Sequence, residues 1–400
     1  MKVLFLSQRV PHPPDRGDRI TTYHFLRHLR ASGHDIKVGC LCEDDRDQAA
    51  AKELAGMVTE VCAPRIDRRW RKVRSLTGLC TGEALTLPFF RVAALQRAVD
   101  RWLAAGIDLV YVYSSSMALY VLGRRGPVKL MQFAELDSDK WRQYAQTRSG
   151  ITKWIYEREA RTLLAFETAV ARDFEISCVV SEVEKELFSQ RIPGVEPIVL
   201  RNGVDVELFE SRGDAAREPH ALVFTGVMDY EPNVDAVTWF VAASWPKVRT
   251  RFPDAKLWVV GSKPNTAITA LDGRDGITVT GRVPETAPWF DRARVAIAPL
   301  RLARGVQNKV LEAMSMGLPV VCTPAAAQGL GQVDDSILRV AGDAESFADA
   351  VIELLADPER SAHIGRNAAR FVREQFRWEA QFAVLDAVLA AVRAKVLAKR

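Results

Sequence analysis

The sequence predicts an α/β protein of two doubly wound, Rossmann-like domains facing a cleft, with a helical C-terminal tail. Three observations carry this prediction. The chain has 400 residues, more than one hydrophobic core ordinarily supports. Short apolar runs alternate with amphipathic stretches, the pattern of a parallel sheet with crossover helices. The alternation stops at a polar stretch interrupted by Gly and Pro, residues 211–219, and then restarts.

In the first half, strands are expected at 2–6, 36–41, 109–112, 129–133, 177–180 and 198–200. A helix is expected over 19–31, where Phe25, Leu26 and Leu29 repeat at helical spacing and Gly33 follows as a stop. After the linker, strands are expected at 221–225, 256–260, 277–280, 295–298 and 319–322. The helices between them are expected at 234–249, 284–293 and 306–316. Pro358 opens a further helix, and 378–399 reads as a long terminal one. The expected divisions are 1–205, 206–376 and a C-terminal helix at 377–400 that packs back on the first domain. In doubly wound sheets ligands sit beyond the carboxyl ends of strands, so the loops that follow strands are where a site is sought.

Hydrophobic content of 48% and charged content of 26% are ordinary for a soluble globular chain. A net charge of +5 suits phosphates or an anionic membrane surface and does not single out nucleic acid. The apolar start Met1–Ser7 is too short for a signal-peptide core and is ended by Gln8 and Arg9. No stretch reaches the apolar length that a bilayer demands. Cys40, Cys42, Cys62, Cys80, Cys178 and Cys322 are scattered without zinc-site or disulfide spacing. Free thiols in a reducing cytoplasm are the expectation.

The densest motif is Arg304-Gly305-Val306-Gln307-Asn308-Lys309-Val310-Leu311-Glu312, a loop entering a helix after a strand. Amides at a helix start, with Arg304 and Lys309, make an anion site suited to a diphosphate. Glu312 lies one turn beyond Asn308 on the same face, where a carboxylate accepts ribose hydroxyls. The alternative is a surface Glu on a helix whose Val310, Leu311 and Met314 pack. In the N-terminal loop 11–17, Gly17 lets backbone approach a phosphate, and Asp18 and Arg19 open the helix towards the cleft. The alternative is a Pro-rich turn with Asp18 as a helix cap. After the strand at 129–133, Glu135 and Asp137 are carboxylates able to take a proton or orient a sugar. Asp137-Ser138-Asp139 also mimics a metal-binding Asp-x-Asp, or else starts a helix. His12 alone among the histidines sits in a loop bordering the expected cleft.

Glu312-Ala313-Met314-Ser315-Met316-Gly317-Leu318-Pro319-Val320-Val321 resembles the signature of retaining glycosyltransferases of family 4, the group 1 sugar transferases of the GT-B class. That pattern is Glu, seven residues, Glu, then Ala-Met-Ala-x-Gly-x-Pro-Val-Val. Arg201-Asn202-Gly203-Val204-Asp205 with Phe209, Gly281-Arg282-Val283, and Cys178-Val179-Val180-Ser181 resemble further elements of the family, so the likeness spans nearly the whole chain. It implies a GT-B fold, with a donor nucleotide-sugar domain at 206–376 and an acceptor domain at 1–205. It also implies retention of anomeric configuration without a metal or other cofactor. Residues 13–19, 226–233 and 304–312 resemble the exopolysaccharide-locus, exosortase-associated subgroup.

Two departures stand out. The family's first Glu falls at Arg304. Its Gly-Arg-x(5)-Lys, which supplies two cations to the diphosphate, falls on 226–233, where both cations are missing. Arg304 and Lys309 are expected to take over that charge. The expected donor site is Gly17, Gly226, Arg282, Val283, Arg304, Asn308, Lys309 and Glu312. Glu135, Asp137 and Arg304 are the expected catalytic groups, with Asp18 and Arg19 on the acceptor side.

The expected partners are a nucleotide diphosphate sugar and a lipid-linked glycan or polysaccharide acceptor. The basic run Arg65-Ile66-Asp67-Arg68-Arg69-Trp70-Arg71-Lys72-Val73-Arg74 is read as an anionic-membrane contact, which puts the protein peripherally on the inner membrane face. A solvated mobile loop is the alternative; nucleic acid is not expected. Two other functions fit the motifs: a GT-B nucleotide-sugar epimerase, and a catalytically silent sugar-nucleotide binding partner.

Overall fold

The computed structural model describes residues 1–14, 17–211, 217–303 and 305–398. The chain forms two compact units, Met1–Leu200 with Phe382–Arg400, and Arg201–Gln381. These bounds stand beside the expected divisions at 205/206 and 376/377.

The first unit is built on a seven-stranded sheet. Its strands are β1 (Lys2–Leu6), β2 (Asp35–Gly39), β3 (Glu60–Cys62), β4 (Leu109–Tyr113), β5 (Val128–Ala134), β6 (Ile176–Val179) and β7 (Ile198–Val199). Their order is β3-β2-β1-β4-β5-β6-β7, and all neighbours are parallel. Val3–Leu6 and all of β4 are buried, which is why these strands read as unbroken apolar runs instead of alternating ones. β3 is absent from the sequence expectation because three half-buried residues give no periodicity to read. The terminal helix Trp378–Ala398 brings Phe382 onto His28, with ring centroids 4.2 Å apart and planes 8° from parallel. His28 Nε2 also lies 2.8 Å from Asp386 Oδ1.

The second unit carries a six-stranded parallel sheet. Its strands are β8 (Ala221–Thr225), β9 (Lys256–Val260), β10 (Ile277–Gly281), β11 (Val295–Ala298), β12 (Val320–Cys322) and β13 (Arg339–Val340), in the order β10-β9-β8-β11-β12-β13. Both sheets are of the doubly wound kind, and helices follow the last strand to the end of the chain. Within this unit the segment around Gly203 lies against Trp378: a Cβ on Gly203 would come 2.5 Å from the indole, so only Gly fits. Val204 pairs with Arg377 beside it.

Several element bounds differ from those expected, for local reasons. The single helix expected over 234–249 is two, Glu231–Ala243 and Trp245–Arg251. Pro246 cannot continue a helix through its missing N–H, and the intervening Ser244 is buried with Oγ donating to the carbonyl of Ala344. The helix expected from 284 begins at Ala287, with Pro288 in its first turn, and the one expected from 306 begins at Asn308. The basic run is no loop: Asp67 caps a helix, Arg68–Ser75, accepting from the amides of Arg69 and Trp70. The end of the expected linker is tied down as well, since Arg217 donates to the carbonyls of Met316 and Gly317.

Candidate functional site

In the second unit the strand order reverses between β8 and β11, whose neighbours on either side are β9 and β12. The loops leaving β8 and β11 therefore rise next to each other, at the position where doubly wound sheets receive ligands. Gly226 leaves β8 and Gly261 leaves β9. A Cβ on Gly261 would sit 1.7 Å from the carbonyl oxygen of Gly226, so the two backbones touch where no side chain fits. A Cβ on Gly226 would in turn lie 2.7 Å from Asn233 Nδ2 and 3.0 Å from Lys309 Nζ.

Asn233 belongs to the first turn of helix Glu231–Ala243 and is buried. Its amide nitrogen donates to the carbonyl of Val227 at 2.9 Å, while its oxygen accepts from Lys309 Nζ at 2.6 Å. Lys309 comes from helix Asn308–Ser315, after β11, and its ammonium also lies 4.1 Å from the centre of the Phe224 ring. Burial lowers its pKa to about 7, opposed by the charge of Glu312, which lies one turn further on. Glu312 is pushed up to about 7 by burial, with Lys309 pulling the other way. Lys309 thus lacks the full countercharge that its place would need to keep an ordinary lysine pKa.

Helix Asn308–Ser315 starts after Gln307, whose side chain makes no capping bond, and no acidic residue lies in its first turn. Its initial amides and its dipole favour an anion. Asn308 Oδ1 is enclosed and finds no partner among the described residues. Arg282 follows β10 and is exposed, while Val283 packs on the core. Arg301, in the same loop region, is already neutralised by Asp235. Arg304 lies outside the described residues. Gly226, Asn308, Lys309 and Glu312 are thus gathered at the β8–β11 switch point, and Gly261 and Asn233 join them without having been expected. A Gly at the end of an apolar strand-like run was the available signal for Gly261. For Asn233 none existed beyond its place in the departing motif.

In the first unit, the loops after β1, β4 and β5 hold a polar cluster. Gln8 Nε2 donates to the hydroxyls of Ser114 and Ser116, at 2.7 Å each. Asp18 pairs with Arg9, and Arg19 with Asp47 at 2.5 Å, so both residues assigned to the acceptor side carry ion partners within the unit. Asp18 is not the cap of its helix, which runs Gly17–Ala31 with Asp18 in the first turn. Tyr113 is buried, and its pKa is raised by that burial and then by the charges of Asp18, Glu135 and Asp137, with a hydrogen bond to Thr21 opposing them. Ala134 ends β5 in left-handed backbone, with φ 62°, and turns the chain into Glu135. His12 pairs with Glu53 at 2.8 Å.

The Asp-x-Asp resemblance dissolves in the geometry. Asp137 takes Lys140 at 2.6 Å and the hydroxyl of Ser115 at 3.4 Å; Asp139 is buried against Arg142 at 2.6 Å and Arg191 at 3.3 Å. Neither Asp137 nor Ser138 caps the helix they open, Asp137–Gln146, whose N-cap is Leu136. Behind them Glu167 is pushed up to about 8, mainly by burial and then by the charge of Asp137. No group of three or more His, Cys, Asp and Glu suited to a metal occurs among the described residues. Gly17 is exposed at the start of its helix and belongs to this unit, whereas Gly226, Arg282, Val283, Asn308, Lys309 and Glu312 belong to the second.

Comparison with known proteins adds the following. Residues 17–203 match the family described as "Glycosyl transferase 4-like domain", and residues 219–357 match "Glycosyl transferases group 1". An uncharacterized 44.6 kDa protein in the cps region of Klebsiella pneumoniae is 22% identical over 94% of this chain and 96% of its own. A phosphatidyl-myo-inositol mannosyltransferase of Mycolicibacterium smegmatis is 24% identical over 70% of this chain and 71% of its own. The lipopolysaccharide core mannosyltransferase LpcC of Rhizobium leguminosarum is 28% identical over 48% of this chain and 58% of its own. Among solved structures, sucrose-phosphate synthase of Thermosynechococcus elongatus superposes with a TM-score of 0.73, at 17% identity, over 99% of this chain and 100% of the other. Anabaena HepE in complex with UDP gives 0.68, at 15% identity, over 98% and 100%.

Proposed function

Because the chain belongs to the GT-B glycosyltransferases, with a 4-like domain followed by a group 1 domain, we propose that it moves a hexose from a nucleoside diphosphate donor held in its second unit to a lipid-linked glycan acceptor, with retention. The observation that carries this reading is the ammonium of Lys309, held by Asn233 beside Gly226 at the switch point. The family's lysine is missing at position 233, and the charge arrives from a different helix at the same place. As the bond from the anomeric carbon to the diphosphate breaks, its electron pair passes to the leaving phosphate oxygen. Lys309 and the first amides of helix Asn308–Ser315 would stabilise that charge. Arg304 is proposed to assist, Glu312 to bind ribose hydroxyls, and Arg282 and Val283 to border the base.

In the first unit, Glu135 or Asp137 would take the proton of the acceptor hydroxyl as its oxygen bonds to the anomeric carbon. Asp18 and Arg19, expected to face the acceptor, would act there through the ion-paired frame they form with Arg9 and Asp47. Charge supplied by Lys309 and backbone leaves no task for a metal in this reading. The named relatives that act on phosphatidyl-myo-inositol and on lipopolysaccharide core support a lipid-linked acceptor, and the relative from a cps region supports a role in surface-polysaccharide synthesis. Among the described residues no helix is long and apolar enough to cross a membrane; in this reading the protein meets such an acceptor peripherally, at the cytoplasmic face.

The test is a panel of nucleotide sugars screened by thermal shift, followed by calorimetry and transfer assays on the best binder. Lys309→Ala must weaken that donor steeply and Glu312→Ala must abolish transfer with the fold intact. Unchanged donor affinity in Lys309→Ala ends the proposal.

A further inference from the structure

We infer that residues 68–81, together with the first turns of helix Gly150–Asp173, form a docking face for an anionic membrane surface. Three large side chains here are exposed to a degree rarely met on a soluble domain: Trp70 at 64%, Trp154 at 56% and Ile151 at 76%. Val73, Leu76 and Leu79 are exposed beside them. Six of the eleven large exposed apolar side chains among the described residues lie in these two short segments, so the concentration is a feature of this face.

The backbone explains why these side chains line up. The helices Arg68–Ser75 and Thr77–Thr81 meet at Leu76, itself in helical geometry. Leu76 N bonds to the carbonyl of Val73 and Leu79 N to that of Leu76, both over three residues. Such tightening to three residues per turn brings positions three apart onto one line. Trp70, Val73, Leu76 and Leu79 thus form a stripe, while Arg71 and Gly78 turn inward and Arg71 donates to the carbonyl of Arg91.

The second segment is fixed against the first. Buried Arg158 donates to the carbonyls of Gly78 and Glu83, and buried Glu159 accepts from the amides of Leu85 and Thr86. Ile151 and Trp154 stand two turns and one turn before Arg158, at spacings of seven and four, so they share its face of the helix.

Charge identifies the occupant. No acidic residue occurs in 68–82 or in 148–156, whereas Arg68, Arg69, Lys72, Arg74, Arg148 and Lys153 are all exposed there. Arg69, Lys72 and Arg74 make no ion pair among the described residues. A second copy of this chain would bring one basic face onto an identical one, which like charges oppose. Apolar side chains flanked by long cationic ones suit the boundary between acyl chains and anionic headgroups, with the cationic stems lying along the apolar surface.

The experiment is sedimentation of the full chain with vesicles of phosphatidylcholine alone, and of phosphatidylcholine and phosphatidylglycerol in equal parts. Binding is expected to the anionic vesicles only and to weaken with salt. Trp70→Ser with Trp154→Ser, and separately Lys72→Glu with Arg74→Glu, are each expected to weaken it about tenfold or more. All four positions are exposed, and an unchanged melting temperature checks the fold. Equal binding to both vesicles, no binding to either, or no effect of the variants overturns the inference. So does a tryptophan-dependent dimer in size exclusion. Because neither donor nor acceptor is present, failure here leaves the transferase proposal untouched, and failure of that proposal leaves this face intact.

Discussion

Lys309 reaches Asn233 across 2.6 Å from a helix 76 positions away in the chain, and Asn233 stands at the position where the family pattern has a lysine. The helix that follows β8 supplies an acceptor where a cation is expected, and the helix that follows β11 supplies the cation. β8 and β11 are neighbours in the sheet, so the two helix starts meet.

Replacing Lys309 by Met should therefore remove one positive charge of the proposed donor site while keeping the bulk of the side chain. Loss of one charge-assisted contact to a diphosphate corresponds to about 2 kcal/mol, or roughly thirtyfold in affinity. Calorimetric titration with the preferred nucleotide sugar measures it. Asn233→Lys combined with Lys309→Met should return part of the loss, because the charge then arrives from the other helix.

Gly226→Ala should damage donor binding more than folding. The added Cβ points at Asn233 Nδ2 and Lys309 Nζ, at 2.7 and 3.0 Å, and so displaces the ammonium. Gly261→Ala should act the other way, because its Cβ meets the backbone oxygen of Gly226 at 1.7 Å. The expected outcome is a large fall in melting temperature for Gly261→Ala and a modest one for Gly226→Ala, with donor affinity lost in the latter. Melting curves with and without donor separate the two.

The ligand-free protein should show a pH-dependent weakness that traces to Lys309 and Glu312. Glu312 moves from 4.5 up to about 7 on folding, so the folded chain holds the extra proton in that window and stability falls as pH rises through it. Lys309 moves from 10.5 down to about 7, so the unfolded chain holds the extra proton above 7 and stability rises from there to 10.5. The pair's contribution is therefore lowest near pH 7. Lys309→Met with Glu312→Gln should flatten the minimum in melting curves taken from pH 5 to pH 10. A bound diphosphate should restore the charge of Lys309, so donor binding is expected to take up a proton above pH 7.

Truncation after Gln381 should weaken the first unit and spare the second. The removed helix carries Phe382, stacked on His28, and Asp386, bonded to the same imidazole, and Phe382 also lies edge-on to Phe25. Hydrogen exchange should quicken in helix Gly17–Ala31 while helix Asn308–Ser315 keeps its protection. Equal loss in both units would show that the terminal helix stabilises the chain in another way.

The sequence by itself determined the two α/β halves, because apolar runs of strand length, amphipathic helices and a polar break are local patterns that survive in one dimension. It also pointed to a helix start near 308 that carries Lys309 and Glu312, since a loop entering a helix is written in consecutive residues. It did not reach β3 and β13, which are too short to show a period, nor the split at Ser244, where Pro246 breaks the helix inside an apolar stretch. Only the tertiary structure decided that Asn233 holds Lys309, that the backbones at Gly226 and Gly261 touch, and that the part of the terminal helix grouped with the first unit starts at Phe382 instead of 377. Those facts depend on which strands are neighbours and on where the last helix docks. Contacts of that kind are made between segments far apart in the chain, and no local period of the sequence encodes them.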